Sequence, residues 1–319
     1  MYKPQRARDT TIDELVMLLT KYKELILMTK YDGVRCLVKD NIVRGKSLLP
    51  IVNKNIQSLY GNSKYEGKDF EIIVTTNGIY DPVTCCRETV SYTNSEDTIV
   101  EHKCVLIDDI NKRHYSFIDR LHELNVFANN NKGTFQLPDF IIISSIDQLL
   151  AYEEDILTKD NEAIIIRNPN LEYKEGVSSK EGELLRLKRH ISEEAIIEDI
   201  LPANTNNNEA KINLLGHSER STAVAGLVQK DEVGKLLCRT VKDIHDPWSG
   251  RLIIKKDSLC IIATGAMTKE DKINIYRDRE QYKGRMIKFK SFPKGTKNKP
   301  RFATFQYFVP EFDNPIKGN

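Results

Sequence analysis

The chain switches between two hydrophobic periods, and the switches outline its elements. Residues 11–24, TIDELVMLLTKYKE, repeat apolar positions at helical spacing. A threonine at the start, Asp13 and Glu14 in the first turn and Lys21 and Lys23 in the last supply the cap and charge bias of a helix. Short β runs follow: LILMT, VRCLVKD, FEIIVTT, KCVLID, FIIIS and EAIIIRN, with helical spacing returning near 116–128 and 145–157. Strands outnumber helices without alternating regularly with them. This predicts an α+β domain on mostly antiparallel sheets, not a doubly wound parallel sheet. Near residue 190 the pattern changes. A polar, turn-rich segment, 202–220, leads into AGLVQKDEVGKLLCRTV, RLIIKKDSLCIIAT and GRMIKFKSF, with one helical stretch near 268–281. The first of these predicts a hairpin around Asp231–Gly234. Short strands with one helix fit a small Greek-key β-barrel of the OB type, and other small barrels fit the pattern equally. The expected division is 1–190 and 191–319.

One interruption stands out. In LILMTKYDGVRCLV, 25–38, an apolar run breaks at Lys30 and an Asp32-Gly33 turn. One reading is a hairpin tip carrying solvated charges. The other is a strand end that presents Lys30 as a nucleophile, with Gly33 allowing close backbone approach and Arg35 able to grip a phosphate or ribose. A lysine that attacks phosphorus must be neutral, so its pKa has to fall from about 10.4. Positive neighbours and a bound metal can supply that shift, and the sequence offers Arg44, Lys46, Arg186 and Lys188 as candidate cations.

Bulk composition narrows the classes. Lys and Arg number 48 against 46 Asp and Glu, a net charge of +2, so no nucleic-acid partner is announced by charge alone. Hydrophobic residues at 40% indicate a globular chain. The N-terminus MYKPQRARDT has no apolar signal region, and no run is long enough to span a bilayer. Six cysteines without CxxC spacing predict reduced thiols in a cytoplasmic protein, and six histidines never pair at zinc-ligand spacing.

Lys30, Asp32, Gly33 and Arg35 do not stand alone. Nine residues after Arg35 comes Arg44-Gly45-Lys46; Glu71 lies in KDFEIIV; Glu162 opens EAIIIRNP; and Arg186 and Lys188 lie in GELLRLKRH. In order and spacing this set resembles the covalent nucleotidyltransferases, and within them the small phage-type ATP-dependent DNA ligases, over residues 25–190. The resemblance implies a nucleotidyltransferase domain of ATP-grasp-like antiparallel sheets, followed by an OB-fold domain. It implies ATP as cofactor, with AMP carried covalently on Lys30. Arg35, Arg44, Glu71, Ile107, Glu162, Arg186 and Lys188 would bind the nucleotide, and Glu71 and Glu162 would hold Mg²⁺. The implied partner is nicked duplex DNA, sealed by a monomer, with Lys255, Lys256, Lys283, Lys288, Lys290 and Lys294 as phosphate contacts. RNA ligases, RNA-capping guanylyltransferases and a non-catalytic nucleic-acid binder are the alternatives.

The sequence departs from that pattern in four places. Met28 stands where many such ligases carry an adenine-reading glutamate. The stacking aromatic falls in KCVLIDDI, where Leu106 or Ile107 is available. Ala163 replaces the glycine after the second carboxylate, and Asn298 and Gln306 stand at two C-terminal arginine positions, with Lys297, Lys299 and Arg301 nearby.

Overall fold

The computed structural model describes residues 3–296 and 299–310, without the side chains of 294–296. The chain forms two compact units. One comprises residues up to Lys188 together with Asn213–His217; the other comprises Arg189–Ile212 and the chain from Ser218 onward.

The first unit is α+β and contains two sheets. Strand order in the first is β1 (Arg8–Asp9), β11 (Leu185–Leu187), β10 (Ala163–Arg167), β2 (Leu25–Lys30) and β9 (Phe140–Ile143). The second runs β4 (Ile42–Gly45), β3 (Val34–Lys39), β5 (Lys68–Thr76), β7 (His102–Asp109) and β8 (Phe135–Gln136), with β6 (Ile79–Tyr80) paired to β5. Pairing is antiparallel apart from β1–β11 and β7–β8. Strand β2 explains its own apolar run, because both of its faces are covered. Leu25 and Leu27 pack with Leu15, Leu18 and Leu19 of helix α1 (Ile12–Tyr22) and Leu149 of α5 (Ile146–Thr158). Ile26 and Met28 pack with Phe117 and Leu121 of α4 (Phe117–Asn130). Each such buried side chain stabilises by roughly 1.5–3 kcal/mol. Thr11 caps α1 by accepting from the Glu14 N–H at 3.3 Å. Helices α2 (Lys54–Tyr60) and α3 (Cys85–Asn94) place Ile56, Tyr60 and Tyr92 on the second sheet, against Phe70 and Phe135.

Strands β2 and β3 are not a hairpin. They belong to different sheets, so Tyr31-Asp32-Gly33 is a crossover that carries the chain from one sheet to the other.

The second unit is built on a closed barrel in the order β12 (Ile191–Asn206), β15 (Leu227–Thr240), β18 (Leu259–Ala263), β20 (Lys299–Phe308) and β19 (Met286–Thr296). Ile197, Leu236, Ile262, Phe289 and Phe305 fill it, with Ile275 of α6 (Lys269–Arg277) and a flanking Tyr282 from α7 (Arg279–Tyr282). Small hairpins pair β13 (Ala210–Ile212) with β14 (Ser218–Arg220) and β16 (Ile244–His245) with β17 (Leu252–Ile254). Two local expectations are corrected here. The segment from 202 begins as strand, because β12 continues to Asn206. The hairpin at Asp231–Gly234 does not exist, because β15 runs through it. Gly234 instead faces a register irregularity at Pro202, where an added Cβ would lie 2.5 Å from the Pro202 carbonyl. The glycine serves close strand approach, not a turn. All six cysteines are free, and among the described residues no helix is long and apolar enough to cross a membrane.

Candidate active site

Lys30 is the last residue of β2 and the first position of that strand not fully buried. Its register partner on β10 is Ala163, so the residue before it, Glu162, sits directly beside the amine. The Glu162 carboxylate receives Lys30 Nζ on one oxygen and Lys188 Nζ on the other. Lys188 arrives from the end of β11, the strand on the far side of β10. From the opposite sheet, Glu71 accepts a hydrogen bond from the Gly33 N–H at 3.2 Å. Gly33 has no alternative here, because a Cβ would come within 2.1 Å of the Ile72 carbonyl. The crossover thus brings one lysine pair and two carboxylates together.

The electrostatics reverse one expectation. Burial alone would push the Lys30 ammonium toward neutrality, but Glu162, Glu71 and Asp32 outweigh it and hold the pKa above its ordinary value. Three of the proposed cations have partners of their own. Arg186 is paired with Asp9 at 2.6 Å; Arg44 donates to the carbonyls of Leu48 and Lys39 at 3.1 and 3.4 Å and lies 3.8 Å from Asp40. Lys188 is shared with Glu162 and sits below its ordinary pKa, because burial opposes its charge. Burial also works against Glu162, yet Lys30 and Lys188 hold it at about 2, whereas burial lifts Glu71 to about 7. Without a further cation, Lys30 is an ammonium. Among the described residues no group of three or more His, Cys, Asp or Glu side chains could hold a metal. Mg²⁺ commonly takes one or two carboxylates and completes its shell with water and phosphate oxygens, so Glu71 and Glu162 beside Lys30 fit it.

Arg35, the register partner of Glu71, is engaged by the buried Asp69, with Nε at 2.8 Å, and donates from Nη1 to the Gln5 carbonyl at 2.6 Å. Met28 is buried in the α4 cluster, opposite Ile165. Leu106 belongs to the core of the second sheet, whereas Ile107 is half-buried. On the barrel, Lys255, Lys256 and Lys290 are exposed, Lys288 pairs with Glu194 at 3.2 Å, and Lys283 pairs with Asp199 and Glu280 at 3.2 and 2.9 Å. Gln306 accepts from Ser192 Oγ at 2.5 Å. Lys297 and Asn298 lie outside the described residues.

Sequence reasoning missed a buried network behind the site. Asp108, fully buried on β7, takes Arg120 Nε at 2.7 Å and Arg167 Nη1 at 2.8 Å. Arg167 also donates to Gln5 Oε1 at 3.0 Å and to the Ile107 carbonyl at 3.3 Å. Gln5 therefore links this network to Arg35. An arginine closing an apolar strand gives no local sign of being buried; only its distant carboxylate partner shows it.

No protein-family model and no curated protein matches the chain. Solved structures do. The Chlorella virus DNA ligase-adenylate is 20% identical, covering 97% of this chain and 100% of that one, at a TM-score of 0.51. A second crystal structure of the Chlorella virus DNA ligase-adenylate is 22% identical over 97% and 99%, at 0.50. A Lig E DNA ligase is 17% identical over 97% and 100%, at 0.66. Over nearly its whole length, the chain has the fold of these DNA ligases.

Proposed function

We propose that the chain is an ATP-dependent DNA ligase that seals nicks between 5′-phosphate and 3′-hydroxyl ends in duplex DNA through a lysyl-AMP on Lys30. The supporting observation is the convergence on Lys30 of Glu162, Lys188 and Glu71 from two sheets joined by the Lys30–Gly33 crossover. In this reading the first unit is the adenylation domain, and the barrel is an OB-fold that contacts duplex phosphates through Lys255, Lys256 and Lys290. Lys30, after giving its ammonium proton to solvent, attacks the α-phosphorus of ATP in line: an N–P bond forms, the bond to pyrophosphate breaks, and the nitrogen releases a second proton to solvent as the phosphoramidate forms. AMP then passes to the 5′-phosphate of the nick. The 3′-hydroxyl attacks that phosphorus and expels AMP. Positioning and electrostatics carry these steps. Glu71 and Glu162 would hold Mg²⁺, which supplies positive charge against the phosphates and relieves the carboxylates' grip on the amine. Lys188, on the far oxygen of Glu162, keeps that carboxylate ionised, and Arg35 is held ready by Asp69 and Gln5.

The test is covalent labelling. Protein incubated with ATP labelled at the α-phosphate and Mg²⁺ should gain an acid-labile adduct that Lys30→Ala abolishes and nicked duplex DNA discharges. Labelling by GTP would assign capping chemistry, and discharge only by nicked RNA would assign an RNA ligase. Absence of labelling, with no AMP already bound by mass spectrometry, would leave a non-catalytic binder.

A further inference from the structure

The crossover that carries Lys30 has an anchor outside the ligand-binding set. Tyr80 accepts a hydrogen bond from the Asp32 N–H at 3.2 Å. Its ring meets that of Tyr31 edge-on, with centroids 5.0 Å apart and planes at 71°. Both rings pack on the buried cluster of Ile73, Cys85 and Val105. Tyr80 is itself held from elsewhere. It pairs with Thr75 across a β5–β6 hairpin whose turn, Asn77-Gly78, has φ of 52° and 75°, the signature of a tight hairpin turn. Glu101 accepts from the Gly78 N–H at 2.5 Å, and Lys103 Nζ donates to the Gly78 carbonyl at 3.0 Å. Elsewhere on the crossover backbone, the Tyr31 carbonyl accepts from Lys30 Nζ at 3.3 Å, and the Gly33 N–H donates to Glu71, a carboxylate that the proposed chemistry assigns to the metal. Tyr80 is a neutral anchor, whose hold does not compete with a cation.

We propose that Tyr80 is a positioning residue for the nucleophile, its hydroxyl fixing the Asp32 peptide and so the direction in which Lys30 leaves β2. The role rests on the adenylation reading above. A misdirected amine would still bind nucleotide, so loss of the hydroxyl should act on the bond-forming step and not on ATP affinity. One neutral hydrogen bond corresponds to about 3- to 10-fold in rate. The experiment measures single-turnover Lys30 labelling against ATP concentration for wild type, Tyr80→Phe and Tyr80→Ala, together with hydrogen exchange at the Asp32 amide. Tyr80→Phe should lower the plateau rate about 3- to 10-fold, leave the half-saturating ATP concentration within about 2-fold, and speed Asp32 exchange. Tyr80→Ala, which also loses the ring contact, should be slower still. A Tyr80→Phe plateau equal to wild type, a loss confined to half-saturation, or unchanged Asp32 exchange would overturn the proposal. If wild type takes no label and carries no AMP by mass spectrometry, the adenylation reading fails and the role falls with it, whereas a labelled wild type with an unaffected Tyr80→Phe sinks Tyr80 alone.

Discussion

Replacing Asp108 with Asn changes almost no volume but removes the negative charge shared by two buried guanidiniums. Arg120 and Arg167 are 0% and 1% exposed, so neither reaches water when the carboxylate is gone. What remains around them is a set of dipoles: the carbonyls of Tyr115, Leu171, Glu183 and Ile107 at 2.6–3.4 Å, and Gln5 Oε1. Removing one partner of a buried ion pair costs about 3–5 kcal/mol, mostly because the other charge is stranded. Here two cations lose one shared anion, and the amide also turns an N–H₂ toward a guanidinium, so Asp108→Asn should fall at the upper end, about 5 kcal/mol. In a unit of this size that lowers the melting temperature by roughly 10–20 °C. Urea unfolding followed by far-ultraviolet dichroism measures it, and Arg167→Met and the double variant complete a cycle. The double variant should cost clearly less than the sum, because Arg167→Met removes one stranded charge. A loss below about 1 kcal/mol for Asp108→Asn, or strict additivity, would show that the charges are not confined as described.

Glu162→Gln should raise the reactivity of Lys30 toward an amine reagent at pH 8 without nucleotide, since the carboxylate that holds the ammonium is gone; peptide mapping after acetic anhydride labelling reads it, and equal labelling of both proteins contradicts the charge assignment. Gly33→Ala should unfold the first unit several degrees earlier and abolish adenylation, because the new methyl meets the backbone carbonyl of Ile72, which cannot give way as a side-chain tip would. Glu71 binds its proton more tightly in the fold, at about 7, than in the unfolded chain, so native stability falls as pH rises through roughly 4.5 to 7. Glu71→Gln removes that liability, so its unfolding midpoint should gain on wild type between pH 5 and pH 8, by up to about 3 kcal/mol, while its activity is lost. A gap independent of pH would refute this.

Period revealed most of the strands, because a fully covered strand such as β2 is apolar over most of its length on both faces and its first charged residue, Lys30, is where burial ends. Helix α3, CCRETVSYTN, was not legible. Its β-branched residues argue against helix locally, and the tertiary structure overrides them through Tyr92 in the core and Thr89 Oγ1 accepting from the Val74 N–H at 3.0 Å. Asp32-Gly33 and the Asp231–Gly234 stretch both carry turn residues, yet one is a sheet crossover and the other lies inside a strand. Local glycine chemistry permits all of these, and only the strand partners decide. The environment of Lys30 was inverted for a related reason. Sequence lists the cations near a site but not the carboxylates already engaged with them, such as Asp9 and Arg186.

The Lys30–Gly33 crossover also fixes when the site comes into being during synthesis. Lys30 meets Glu162 across 132 residues of chain, and Glu162 meets Lys188 across a further 26. A growing chain makes its nucleophile long before these partners, and the first sheet cannot close around it until β10 and β11 have left the ribosome. Amine reactivity at Lys30 therefore reports closure of the first sheet and not merely its beginning, and a fragment ending before β10 would carry the lysine with neither Glu162 nor Lys188 beside it.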